Sequence, residues 1–289
     1  MEEAINSQHK NHANKFIDVE NVIRKKNEKL LKFLPKAILN YIKKIVHENE
    51  INDFIEKNGD KKSFDFASAI LKEFGVTVNM QGLENIPEKG ACIIASNHPL
   101  GGVDAIAMIQ TLSEKRRDLK FLVNDILLHI ENMKSFFVPV NKHGRNSATA
   151  MSAMQQAYAS EELTCIFPAG LVSRKQQGKI KDLEWKKSFI TMAKKYERNI
   201  VPVYIEGQNT SFFYNLALWR KRLGIKANIE MFYLADEMYK QRNKTITLIF
   251  GKPIAYTVFD NSRSDMQWAQ EMKEFVYLLK DDKNALFKK

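Results

Sequence analysis

Ala91-Cys92-Ile93-Ile94-Ala95-Ser96-Asn97-His98-Pro99-Leu100-Gly101-Gly102-Val103-Asp104 is the stretch on which the fold turns. Its first five residues are apolar and short, the signature of a buried strand. Ala105-Ile106-Ala107-Met108-Ile109 follows and reads as the start of a helix. A strand ending in His98, a Gly-Gly loop and then Asp104 brings an imidazole and a carboxylate together over a few residues. An imidazole that accepts a proton needs a fixed tautomer, and a carboxylate on its other nitrogen supplies one. Gly101 and Gly102 permit a tight turn whose N–H groups face an anion near a helix N-terminus. The plainer alternative is a strand–turn–helix joint with a capping Asp and an incidental His.

Working outward, strand-like and helix-like segments alternate. Residues 76–80, 91–95, 119–123, 136–140, 163–167 and 200–205 read as strands. Residues 103–112, 126–133, 147–160 and 185–196 read as helices, and 225–234 and 245–250 as late strands. Ser264 can cap a last helix carrying Trp268, Met272, Phe275, Val276 and Leu279. The pattern predicts an α/β fold, a largely parallel mixed sheet flanked by helices, over residues 76–289. Residues 1–75 form an N-terminal helical region, with one helix over 62–74 closed by Gly75.

Within that region, residues 30–46 predict an amphipathic helix with Lys29, Lys32, Lys36, Lys43 and Lys44 between or beside its apolar positions. It reads either as a helix packed on the core with a solvated Lys face or as one lying on an anionic bilayer surface. Residues 212–223 mix Phe212, Phe213, Leu216, Leu218 and Trp219 with Arg220, Lys221 and Arg222, and read as core or as a second docking surface. The 289 residues carry a net charge of +11, compatible with nucleic acid, anionic lipid or acidic substrates. No nucleic-acid motif or aromatic platform accompanies the charge, so nucleic acid is not an expected partner. No run approaches the length of a spanning helix, and Met1-Glu2-Glu3 lacks a signal peptide's basic region. Cys92 and Cys165 sit in apolar runs and read as buried reduced thiols, the pattern of a cytoplasmic protein. His129 and His143 read as helix and loop residues, and no zinc-ligand spacing is present, so no metal is expected.

Four blocks now stand in order: Asn97 to Asp104, Phe136 to Lys142, Phe167 to Arg174, and Ile200 to Val203. Together they resemble the glycerolipid (lysophosphatidic acid) acyltransferase superfamily, in its hemolysin-like branch that includes acyltransferases of ornithine and glycine lipids. Five residues, not the family's four, separate His98 from Asp104. Ala169 stands in place of the third-block Glu, Leu171-Val172 in place of Thr-Arg, and Asn141-Lys142 where the second block usually has an Arg.

The resemblance implies acyl transfer from a thioester of acyl carrier protein or coenzyme A to the hydroxyl of a lyso-lipid, with no cofactor. His98 would act as base and Asp104 would hold it. Gly101, Gly102 or Gly170 would offer oxyanion N–H groups. Asn97, Asn141, Lys142, Ser173, Arg174 and Lys175 would contact substrate. The departures favour an acceptor with one carboxylate and a free hydroxyl, such as an N-(3-hydroxyacyl) amino acid, over lysophosphatidic acid. The expected location is cytoplasmic, peripheral on the inner face of the membrane. The alternative is a non-catalytic lipid-surface protein that keeps the fold, for which the missing third-block Glu is the main support.

Overall fold

The computed structural model describes residues 15–124, 127–128, 130–140 and 148–289. Among the described residues five helices come first: α1 (Val19–Lys26), α2 (Glu28–Phe33), α3 (Lys36–Ile45), α4 (Glu48–Asn58) and α5 (Ser63–Phe74). The single helix expected over 30–46 is therefore two. Pro35 divides them, because it lacks the N–H that would continue α2 and its fixed φ starts α3 instead. None of the α3 residues is buried. By contrast α5 sends Phe66, Ala67 and Leu71 into the same core as the central strands, and ends at Gly75 in a left-handed cap. The packed unit thus begins before residue 76.

The sheet has seven strands: β1 (Thr77–Gln81), β2 (Cys92–Ser96), β3 (Leu119–Val123), β4 (Phe137–Pro139), β5 (Leu163–Ile166), β8 (Asn199–Ile205) and β9 (Thr245–Phe250). A separate hairpin, β6 (Arg174–Gln176) and β7 (Lys179–Lys181), lies between β5 and β8 in sequence. The order is β1-β9-β8-β2-β5-β3-β4, with β8–β9 antiparallel and every other neighbouring pair parallel. This is the largely parallel mixed sheet that the alternation predicts.

Every residue of β2 is buried because helices cover both sheet faces. Cys92 and Ile94 point into the core shared with α5 and α6 (Gly102–Leu112). Ile93 and Ala95 point into a second core with Trp185, Phe189 of α8 (Ser188–Lys195) and Trp268 of α11 (Asp265–Leu278). The remaining helices are α7 (Ala148–Ala159), α9 (Ser211–Arg222) and α10 (Leu234–Tyr239).

Residues 225–234, expected as a strand, form a 3-10 turn over Ile229–Tyr233 that runs into α10. The apolar alternation there surrounds Glu230, which is fully buried against two arginines, a demand no sheet edge would meet. Of the helix expected over 126–133, residues 126 and 129 lie outside the described residues, and a 3-10 turn covers Glu131–Phe136. Both cysteines are free and buried, and burial pushes the Cys92 thiol up to about 12. No helix among the described residues is long and apolar enough to cross a membrane.

Candidate active site

Three neighbouring parallel strands, β5, β2 and β8, end on the same side of the sheet, where α/β folds place ligands. The chain leaves β2 through Asn97 and His98. The side-chain amide of Asn97 donates to Ile205 O at 2.8 Å and accepts from Ile205 N at 2.7 Å. Asn97 thus extends the β2–β8 ladder by one rung, and both ends of its amide are engaged by Ile205.

His98 Nδ1 lies 2.9 Å from Asp104 Oδ2. The same oxygen accepts the N–H groups of Leu100 at 2.9 Å and Gly101 at 3.0 Å. Gly101 has φ +90° and caps α6, so one carboxylate both closes the helix N-terminus and fixes the imidazole. Asp104 is fully buried. Burial pushes its carboxyl above the usual range, and the His98 and backbone hydrogen bonds pull against that shift. An ionised carboxylate only accepts, so Nδ1 carries the proton and Nε2 keeps a lone pair. The imidazole stacks on Phe167 at 4.2 Å between ring centres and its side chain is 18% exposed, open on one side.

The loop after β5 clasps the main chain of His98. Ser173 N donates to His98 O at 2.8 Å, and Ser173 Oγ donates to Asp182 Oδ1 at 2.6 Å. Asp182 Oδ1 also accepts the His98 N–H at 3.2 Å, and Oδ2 accepts Trp185 Nε1 at 2.9 Å. Asp182 is wholly buried, and burial pushes its carboxyl up against those hydrogen bonds. It is the organising residue that sequence reasoning missed.

Arg174 turns inward. Its guanidinium donates to Val172 O at 2.6 Å and to Glu230 Oε1 at 3.0 Å, and lies 4.9 Å from the Phe213 ring. Arg220 Nε lies 2.8 Å from the other oxygen of Glu230. Ser173 and Arg174, expected at the substrate, are therefore both occupied within the protein. Lys175 is exposed. Asn141 and Lys142 lie outside the described residues, as do His129 and His143. Of the three glycines expected to supply oxyanion donors, two have N–H groups already in use. Gly101 donates to Asp104 and Gly170 to Phe167 O at 2.9 Å. The Gly102 N–H meets no acceptor among the described residues and sits at the first turn of α6, where a helix favours negative charge.

Residues 21–286 match the family model described as "Acyltransferase". The chain belongs to the acyltransferase family. It is 44% identical over 264 residues to the "Lyso-glycine lipid O-acyltransferase" of Phocaeicola vulgatus, covering 91% of this chain and 95% of that protein. The protein of the same name from Bacteroides thetaiotaomicron is also 44% identical over 264 residues, covering 91% of this chain and 97% of its own. Among solved structures, the 1-acyl-sn-glycerophosphate (LPA) acyltransferase PlsC from Thermotoga maritima is similar at 17% identity and a TM-score of 0.47, over 88% of this chain and 99% of that one. The acyltransferase thus carries its His98–Asp104 pair within the region that its family shares.

Proposed function

We propose that this acyltransferase moves a fatty acyl group from an acyl thioester to the hydroxyl of a lyso-glycine lipid, an N-(3-hydroxyacyl) glycine. The observation that carries the reading is the 2.9 Å contact of His98 Nδ1 with buried Asp104, which leaves Nε2 as the base. The names of the two bacterial relatives support the choice of acceptor. The donor is a thioester of acyl carrier protein or coenzyme A.

His98 Nε2 takes the proton of the acceptor hydroxyl as its oxygen attacks the thioester carbonyl. Asp104 stabilises the imidazolium that forms. The carbonyl oxygen becomes an oxyanion, to which the Gly102 N–H at the start of α6 donates in this reading. As the carbonyl re-forms, the C–S bond breaks and the thiolate takes the proton back from His98. The products are an ester and a free thiol, and His98 returns to its starting state. In this reading Lys175, exposed two residues beyond Ser173, meets the acceptor carboxylate. The protein works at the inner face of the membrane, and the basic side chains of α3 attach it there by attraction to anionic lipid.

The experiment is a competition between lyso-glycine lipid and lysophosphatidic acid for one acyl-thioester donor, with products read by mass spectrometry. The expected result is O-acylated glycine lipid in excess. Acylation of lysophosphatidic acid alone would overturn the acceptor assignment.

A further inference from the structure

An apolar surface lies beside the catalytic loop and has no partner within the described chain. On α9 and its C-cap, Phe212, Leu216, Trp219 and Leu223 recur at i, i+4, i+7 and i+11 and form one stripe. Its buried side is carried by other residues, Phe213, Tyr214 and Ala217. Trp219 is 61% exposed and Leu223 74%. The next turn adds Phe232, also exposed, and Tyr233, whose ring meets Phe212 edge-on at 4.9 Å between centres. The Tyr233 hydroxyl lies 3.0 Å from that of Tyr41, which joins this surface to α3 and its exposed Ile38. Side chains from three separate elements therefore share one face, far more apolar than scattered surface residues would make it.

Cations border it. Lys221, Arg222 and Lys226 on one side, and Lys36 and Lys44 on α3, are exposed and ion-paired with no acid among the described residues. The pattern of projecting aromatics rimmed by free cations fits anionic headgroups above an acyl layer. A second copy fits poorly, because a two-fold contact through this patch would set each cationic rim against the other. The inner side of the same segment is tied to the site. Leu234 stands 3.6 Å from where a Cβ on Gly101 would be, and the Met238 sulfur 3.9 Å from the same point on Gly102. Glu230 anchors the segment to Arg174.

We infer that the face formed by α9, the Ile229–Tyr233 turn and α3 docks on an anionic bilayer and sets the open side of His98 against the lipid interface. It rests on the proposed lipid acceptor, and adds where the membrane meets the protein. A lyso-lipid can then present its headgroup to His98 while its tail stays in the membrane.

The test uses the one exposed member of the chain's three tryptophans, since Trp185 and Trp268 are fully buried. The full chain is mixed with vesicles of phosphatidylcholine containing phosphatidylglycerol, with brominated acyl chains as quenchers. The expected result is a blue shift and quenching that vanish in Trp219→Phe. A Leu223→Ser, Phe232→Ser double variant should bind these vesicles about tenfold or more weakly. Its turnover on detergent-dispersed acceptor should match wild type. Sedimentation with vesicles while Trp219 stays unquenched, or unchanged binding by the double variant, would overturn the inference. So would lipid-free dimerisation that shields Trp219. Loss of wild-type turnover on dispersed acceptor would instead strike the proposed function.

Discussion

The carboxylate of Asp182 accepts the main-chain N–H of His98 at 3.2 Å, across 84 residues of sequence. The carbonyl of His98 is held in turn by Ser173, whose hydroxyl donates to the same Asp182 oxygen. The base is thus fixed twice, at its ring by Asp104 and at its backbone by Asp182. Catalytic geometry is sensitive to displacements of about 1 Å, and the second fixture controls that kind of displacement.

Asp182 is a positioning residue. Asp182→Ala should cost roughly 10²-fold in kcat, with the KM for each substrate little changed, and Asp182→Asn should recover part of the loss. In a His98→Ala background the Asp182 substitution should have no further effect on the residual rate, since it acts through His98. Equal losses in both backgrounds would show that Asp182 supports the fold only.

Asp104 gives a pH-dependent prediction. Its carboxyl is raised in the fold, mainly by burial, so the folded chain binds that proton more readily than the unfolded one. Stability from this group is therefore greatest in acid. It falls as pH rises from the ordinary carboxylate value, about 4, up to the raised folded value. Asp104→Asn removes that dependence while its amide oxygen can still accept the same three hydrogen bonds. The melting temperature of the variant, relative to wild type, should rise across that window while kcat falls roughly 10²- to 10⁴-fold. Thermal melts over a pH series check the sign, and a relative melting temperature that falls across the window would contradict it.

Glu230 carries the inner ion cluster. Glu230→Ala leaves the Arg174 and Arg220 guanidinium groups facing each other without their carboxylate. The expected loss is about 3–5 kcal/mol of folding stability, read by denaturant titration. Arg174→Ala should likewise show first as lost stability. A selective rise in acceptor KM at unchanged stability would instead place Arg174 at the substrate.

The parts of the site that sequence made legible are local. Asn97 to Asp104 holds a base, its carboxylate and a capped helix within eight consecutive residues, so spacing puts the contact within reach and the four ordered blocks single it out. The alternation of strand-like and helix-like segments likewise sets out the sheet, because both faces of β2 are covered and Cys92 to Ala95 form an unbroken apolar run. Asp182 was illegible for the opposite reason. It lies in a polar loop without periodicity, and its partners His98, Ser173 and Trp185 converge only on folding. Arg174 was visible as a cation, but Glu230, 56 residues away, turns it inward. The break at Pro35 was written in the sequence, and the strong apolar spacing on either side masked it.

The most direct test is the acyl-transfer rate of His98→Ala at saturating thioester and lyso-lipid, with its fold checked by circular dichroism. A folded variant should retain about 1% of the wild-type rate or less, given the usual contribution of a general base. A folded variant with near wild-type turnover would contradict the mechanism at its centre.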